Sequence, residues 1–397
     1  MKLAVPLLAA LAVAACNGGG TSNVPSTSGT SISQMSHAMP QWQAKGLARP
    51  ACPQVVGIPT CQALIQSKSG ISPLVSGWAP VDFQTRYNLP SSTKGSGQIV
   101  AIVDAYDNPN VATDLAAYRS NFGLGTATFK KYNQNGQQSN YPQGSTGWGV
   151  EIDLDVEMVS AVCPLCTIYL IEANGADTND LDTAEAEAVT LGAHIISNSW
   201  ICYGSNSCVD STKFATPGVL YLAASGDAGY NENGNPESLG NVVSVGGTVL
   251  SKTGSNYSET AWSDAGGGCS NNGGGTGITK PSWQHDASCT YRTDSDVAAV
   301  AWNVAEYDTY GEGGWFTVGG TSVASPLISG VYALAGNASS QTAAKQIWKL
   351  KNKKKKKFLH DITTGSNGSC GGSYLCTGVK GYDGPTGWGT PNGIKAF

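Results

Sequence analysis

Three short segments carry residue types that can do chemistry together. In Gly319-Gly320-Thr321-Ser322-Val323-Ala324-Ser325-Pro326 a serine follows two glycines, after a β-rich run at Trp315 to Val318 and before an apolar helical stretch. Glycines permit a sharp turn, and a helix start beside Ser322 supplies amide N–H groups and the positive end of the dipole. That suits a nucleophilic hydroxyl, although a serine there also serves as a plain N-cap. Glu151-Ile152-Asp153-Leu154-Asp155 opens a helical pattern. Glu151 and Asp155, four apart, share one face of it, as do Asp153 and Glu157. Such acids suit a solvated face near a helix N-terminus, or they can act as the base that a serine requires. The third segment, Ala223-Ala224-Ser225-Gly226-Asp227-Ala228-Gly229, ends an apolar strand with a glycine-flanked acid. Asp227 is either a site residue at a strand end or an ordinary turn acid.

Histidine is the usual partner of a catalytic serine, and here it is poorly placed. His37 lies in the leader, His194 enters an apolar strand as a packed core residue, His285 sits in a loop with Trp283 and Cys289, and His360 follows a lysine run. None stands in a Gly-Thr context at a helix start. Carboxylates are therefore the better candidates for the base. Asp104, at the end of an apolar strand, is a further acid, read as structural or as lining the substrate cleft.

The elements that must position these groups alternate in type. Apolar runs at Ile99 to Val103, Thr167 to Ile171, Ile195 to Ser197, Val219 to Ala223, Val242 to Val245 and Trp315 to Val318 read as strands buried on both faces of a parallel sheet. Helical patterns at Val111 to Phe122, Val150 to Val162, Leu181 to Leu191 and Pro326 to Ala335 lie between or after them. The alternation predicts an α/β fold, a doubly wound and mostly parallel sheet flanked by helices, with its active groups at the carboxyl ends of strands.

Composition narrows the setting. With 397 residues, 40% hydrophobic and only 13% charged, the chain can bury a core and is not a disordered composition. Eight of its 23 basic residues fall between Lys345 and Lys357, five of them consecutive from Lys353, so the remainder carries 15 basic against 28 acidic residues. That acidic body argues against a nucleic-acid partner. The lysine run itself reads as a solvated loop, a contact for an anionic surface, or a local anomaly. Lys2 followed by the apolar Leu3 to Val13 reads as a signal peptide over residues 1–16, too short for a stable membrane anchor. It ends in Val13-Ala14-Ala15-Cys16, which resembles a lipobox with Cys16 lipidated; cleavage after a small residue in the same run is the alternative. Residues 17–36 read as a flexible tether and 37–79 as a short leader segment. Without Cys16 the other ten cysteines form five close pairs, Cys52/Cys61, Cys163/Cys166, Cys202/Cys208, Cys269/Cys289 and Cys370/Cys376, as disulfides in an oxidising compartment would.

Taken in order, Glu151 with Asp155, Asp227, and Ser322 resemble the sedolisin (serine-carboxyl peptidase) family, a variant of the subtilisin-like fold. Its pattern is Glu-x-x-x-Asp on a helix, an Asp in a Ser-Gly-Asp turn, and a Gly-Thr-Ser loop. Trp78 to Asp82 running to Leu89, Val245 to Thr248, and Gly384 to Pro391 add to the likeness, which covers about residues 78 to 397. The resemblance implies a peptidase domain over 80–397 that hydrolyses proteins at acidic pH through an acyl-enzyme on Ser322. Glu151 would be the base, Asp155 its hydrogen-bonded partner, and a protonated Asp227 the donor to the oxyanion, with Ser197 to Trp200 lining the cleft. It further implies one structural Ca²⁺, held by the carboxylates of Asp361 and Asp383 and the carbonyls of Ile362, Val379 and Gly381, an all-oxygen set. The partners expected are polypeptide substrates, and the protein is expected to be an exported monomer, secreted or held at the cell envelope through Cys16. The alternative is an inactive surface lipoprotein of the same fold that only binds peptides.

Overall fold

In this computed structural model, which describes Met1 and residues 39–67, 75–204, 208–270 and 277–397, the apolar runs become strands and the helical patterns helices. The apolar leader with Cys16, the tether over 17–36 and His37 lie outside the described residues. Residues 39–67 are folded, as α1 (Gln41–Ala44), β1 (Ala48–Pro50), β2 (Thr60–Cys61) and β3 (Leu64–Gln66). Then come α2 (Pro80–Arg86), β4 (Ile99–Ala105), α3 (Val111–Phe122), β5 (Thr128–Asn133), α4 (Thr146–Val162), β6 (Thr167–Ala173), α5 (Thr178–Thr190), β7 (Ile195–Asn198) and β8 (Trp200–Tyr203). The chain continues through β9 (Leu220–Ala224), β10 (Gly234–Asn235), β11 (Val242–Thr253), β12 (Asn256–Ala261), β13 (Gly268–Cys269), β14 (Thr293–Asp294), β15 (Val297–Val300), β16 (Val304–Asp308), β17 (Gly314–Gly319) and α6 (Thr321–Ala335). Two short helices, α7 (Lys345–Lys349) and α8 (Asn352–Phe358), precede the C-terminal loops.

The central sheet runs β12-β11-β9-β7-β4-β6-β5, with β15 also on β11; its pairs are parallel except β11 with β12. The apolar runs are continuous because both faces are covered. In β4, Val100 and Ile102 pack into one core with α3, α4 and α6, while Ala101, Val103 and Ala105 pack into the other with Leu181, Ala184 and Ala188 of α5. α4 is buried on every side from Trp148 to Val162, the signature of a helix inside the core rather than on it. All five expected cysteine pairs are joined as disulfides.

Four sequence expectations need correction. The run at Trp315 to Val318 is a strand, but an antiparallel one in a separate sheet of order β1-β3-β17-β16. An apolar run records burial on both faces, and a second small sheet satisfies that as well as the main one does. The last helix begins at Thr321 and holds Pro326 inside it. Proline removes one ladder donor, the one that the carbonyl of Ser322 would have accepted four residues earlier. That carbonyl lies 3.4 Å from Ser199 Oγ instead. His194 is exposed just before β7, its Nδ1 2.9 Å from Gly218 O, and not packed in the core. The lysine run is a helix, not a loop. Lys355 turns inward with its ammonium 3.1 Å from the Trp388 ring centroid, and burial pushes its pKa down to about 8, while its lysine neighbours stay exposed.

Candidate active site

Glu151, Asp155, Asp227 and Ser322 converge from separate elements. Ser322 is the second residue of α6, delivered by β17 through the Gly319-Gly320 turn. Gly320 has φ +117°, and a Cβ there would lie 2.1 Å from the Gln62 carbonyl oxygen and 2.7 Å from Asp227 Oδ2, so only glycine fits. Glu151 and Asp155 project from α4, whose N-terminus is capped by the Ser145 side chain accepting from Trp148 N–H. Asp227 sits in the turn after β9 and Ser199 between β7 and β8, at carboxyl ends of sheet strands.

Each oxygen has a distinct task. Ser322 Oγ donates to Glu151 Oε2 at 2.8 Å and lies 3.2 Å from Ser199 O. Glu151 Oε1 and Asp155 Oδ2 find no donor among the described residues, yet the two carboxyls lie within hydrogen-bonding range of each other. A single proton between them satisfies both. Asp155 Oδ1 accepts from Ser199 Oγ at 2.7 Å, which turns its other oxygen toward Glu151. Asp227 Oδ1 accepts from Thr321 N–H at 2.7 Å and from Thr321 Oγ–H at 2.9 Å. Its Oδ2 is buried without a partner among the described residues, leaving that atom to carry a proton.

The electrostatics all push one way. Burial raises the pKa of Glu151 well above the carboxylate range, helped by the charge of Asp104 and opposed by the hydrogen bonds from Ser322 and Ala63. Asp155 is raised by burial, then by Asp104 and Glu151. Asp227 is raised by burial, against the donors on Thr321 and with the charge of Glu232. Asp104, at the end of β4, is wholly buried with neither oxygen partnered among the described residues, and burial lifts it to about 8. It lies close enough for its charge to raise both Glu151 and Asp155. An acid pair against a serine hydroxyl, with a neutral carboxyl across from it, can activate the hydroxyl and stabilise an oxyanion. The bland reading of α4 as a solvated acidic face fails, since all four of its acids are fully buried. The hydrogen bonds of His194 and His360 go to backbone carbonyls of Gly218 and Arg86, away from Ser322, and His285 is exposed.

Sequence reasoning missed the groups that frame the site. Ser199 falls only within a cleft-lining stretch, and nothing in the sequence marks its hydroxyl for Asp155. Gln62 and Ala63, between β2 and β3, have backbone N–H groups 2.9 and 2.8 Å from Glu151 Oε2. They carry no signal at all, because the contact is made by backbone. Glu232, five residues after Asp227, lies with Trp42, Gln62 and Leu64 around a cavity of about 420 Å³ beside Asp227.

At the C-terminal end Asp361 and Asp383 face a common loop. Asp361 accepts from Gly381 N–H at 3.0 Å and Asp383 Oδ2 from Val379 N–H at 3.0 Å. Asp383 is raised to about 7 by burial, with the charge of Asp361 contributing. Two neighbouring carboxylates at one loop offer oxygens of the kind a hard, oxygen-seeking cation takes.

The chain is 27% identical to kumamolisin of Bacillus sp. (strain MN-32) over 366 residues, 81% of this chain and 63% of that protein. It is 28% identical to sedolisin of Pseudomonas sp. (strain 101) over 369 residues, 82% and 62% of the two lengths. It thus spans about three fifths of the length of these curated relatives. Among solved structures, Pseudomonas sedolisin, a serine-carboxyl proteinase complexed with two molecules of pseudo-iodotyrostatin, superposes with a TM-score of 0.67 at 25% identity, over 80% of this chain and 96% of that one. No family model matches the sequence.

Proposed function

We propose that this chain, which belongs to the sedolisin family of subtilisin-like fold, hydrolyses peptide bonds in polypeptides at acidic pH by acyl transfer through Ser322. The observation that carries the reading is the 2.8 Å hydrogen bond from Ser322 Oγ to Glu151 Oε2, a carboxylate whose proton affinity is raised by burial. Ser322 attacks the carbonyl carbon as Glu151 takes its proton; the same proton then passes to the leaving amine. Asp155 shares a proton with Glu151, so the two titrate as a pair. Asp227 donates from Oδ2 to the oxyanion and must be neutral to do so. A base operates best with a pKa near the working pH, and in acid a histidine would be fully protonated.

A structural Ca²⁺ would be held by Asp361 and Asp383 with the carbonyls of Ile362, Val379 and Gly381, pinning the C-terminal loop. Five disulfides among the described cysteines favour an exported protein, whether released or kept at the envelope by Cys16. A monomer suffices, since one chain supplies every group named. The test is digestion of an acid-denatured protein from pH 2.5 to 9, with Ser322→Ala and Glu151→Gln in parallel. An acidic optimum lost in both variants is the expected result. Activity only at neutral or alkaline pH, or activity that survives Glu151→Gln, refutes the carboxylate base.

A further inference from the structure

The lysine run takes no part in the active site, yet the fold gives it a definite shape. From Lys345 to the C-terminus the chain has ten lysines, two acids and no arginine. α7 and α8 carry most of them. Lysine is a good helix former, and three lysines in the last turn of α8 face the negative end of its dipole. One lysine holds the helix in place. Lys355, only 6% exposed, donates from Nζ to Trp348 O at 3.2 Å and rests on the Trp388 ring. With Lys355 turned inward, Lys353, Lys354, Lys356 and Lys357 stand in solvent, as do Lys349 and Lys351 just before them. No ion pair among the described residues neutralises any of these six. On α8, Lys353 repels Lys356 and Lys357, and Lys354 repels Lys357, at spacings of three and four. The helix is a comb of like charges with no counter-charge of its own.

Two lysines from later segments widen the patch. Lys395 and Lys357 each lie 6.0 Å from the Phe358 ring centroid. Lys380 joins Asn352, Lys355 and Lys356 around a cavity of about 390 Å³ that Tyr382 and Trp388 also line. Asp361 is the one acid in that lining, and its carboxylate already accepts from Gly381 N–H.

The chemistry of the patch narrows its partner. Ammonium groups on flexible stems act as point charges and read a field, where a guanidinium fork would read geometry. No large hydrophobic side chain is exposed over residues 345–397, so attraction here is that of charge for charge. The partner must also stay anionic in the acidic range in which the peptidase is proposed to work. Ordinary carboxylates titrate near 4 and lose their charge there; phosphodiesters keep it. Among phosphodiesters, nucleic acid is the poorer match. The rest of the chain carries 15 basic against 28 acidic residues, and the patch shows no exposed aromatic ring on which a base could stack. An anionic phospholipid bilayer is the extended phosphodiester surface that an exported chain meets first. At physiological salt its field fades over about 8 Å, so it attracts the patch with little cost from the acidic body behind.

We infer that α7, α8 and Lys380 form a docking surface for the anionic phospholipid face of a membrane. One headgroup phosphate enters the cavity between Lys355, Lys356 and Lys380, and the exposed lysines of α8 lie over its neighbours. None of the groups around Ser322 belongs to this surface, so docking does not consume the site. The choice of phosphate over carboxylate rests on the acidic reading of the peptidase; the patch itself does not.

The test uses the full chain with Ser322→Ala, against self-digestion, and Cys16→Ser, against any acyl chain. It is floated at pH 4 with vesicles of phosphatidylcholine alone, or of phosphatidylcholine with about one third phosphatidylglycerol. The expected result is binding to the mixed vesicles in low salt, none to phosphatidylcholine, and release in high salt. Each lysine near such a surface strengthens binding roughly fivefold. Lys353→Gln, Lys354→Gln, Lys356→Gln and Lys357→Gln together should therefore weaken it roughly several-hundredfold. These four are exposed, and a melting temperature no lower than the parent's verifies that the variant is folded. Lys380→Gln alone should weaken binding at least fivefold, and Lys94→Gln, exposed but outside the patch, should not change it. Equal binding to both vesicles, binding that survives the fourfold substitution, or an equal loss in Lys94→Gln overturns the proposal. So does tighter binding to a DNA duplex of matched phosphate concentration, which would make the patch a nucleic-acid site. Each of these results leaves the peptidase reading standing, because digestion is assayed separately.

Discussion

Asp104→Asn isolates the electrostatic cost of burying acids near the site. Asp104 is fully buried, its two oxygens lack partners among the described residues, and its pKa rises from 3.8 to about 8 through loss of solvent. The native state holds this proton long after the unfolded chain has released it. Stability from Asp104 is therefore complete below about pH 3.8 and drains away as pH climbs toward 8. A tenfold difference in proton affinity between the folded and unfolded chain is worth about 1.4 kcal/mol, so near pH 7 the native state has lost about 4 kcal/mol through this one group. Asparagine mimics the protonated acid in shape and in offering a donor, but cannot ionise. In a Ser322→Ala background, which prevents self-digestion, Asp104→Asn should match its parent within about 1 kcal/mol at pH 3.5 and exceed it by about 2–4 kcal/mol at pH 7. Urea midpoints at the two pH values measure this. If the two proteins lose stability in parallel between pH 3.5 and 7, Asp104 is not carrying a raised pKa and the reasoning fails.

The proposed oxyanion donor and the proposed cation site give sharper local tests. Asp227→Ala should lower kcat/KM about 10²–10³-fold, as removal of an oxyanion donor does. Asp227→Asn should retain more activity and hold it to higher pH, since an amide donates whether or not the solution is acidic; a steeper alkaline fall in that variant would contradict the role. Removal of Ca²⁺ by a chelator should lower the melting temperature, with Asp383→Asn already low and insensitive to the chelator. Equal chelator responses in the two proteins would place any ion elsewhere.

What the sequence made legible was the set of groups attached to sharp local signals. Ser322 follows paired glycines, Asp227 a Gly-flanked strand end, and Glu151 and Asp155 a four-residue helical spacing, and all four meet in space. The strands were legible too, because burial on both faces writes a continuous apolar run. The layer to which a strand belongs is not written that way, which is why Trp315 to Val318 fell in the wrong sheet. His194 misled for a related reason: one residue before an apolar run is enough to leave the sheet. Gln62 and Ala63 were invisible because they act through backbone atoms shared by every residue. Tyr203, and Glu232 behind it, were invisible because the contact of Tyr203 to Gln62 exists only once β2 has docked on β8.

The acids of α4 link the site's chemistry to the fold's own proton balance. Glu151 and Asp155 turn to Ser322, while Asp153 and Glu157 turn to the opposite side, toward Asp114, Glu306 and Asp308. Burial raises every one of these carboxyls, and the charges of neighbouring acids raise Asp153, Glu157, Glu306 and Asp308 further. None of the described lysines or arginines forms an ion pair with this group. Cationic neighbours would have allowed the acids to stay ionised in the core; without them, protonation is what makes burial tolerable. A helix carrying four such residues packs as a core helix most readily in acid, the range in which Asp227 is neutral and able to donate. The proton that readies the site is thus of the same kind as the protons that let its supporting helix be buried, and loss of activity with rising pH should be accompanied by loosening of α4 rather than by a local titration alone.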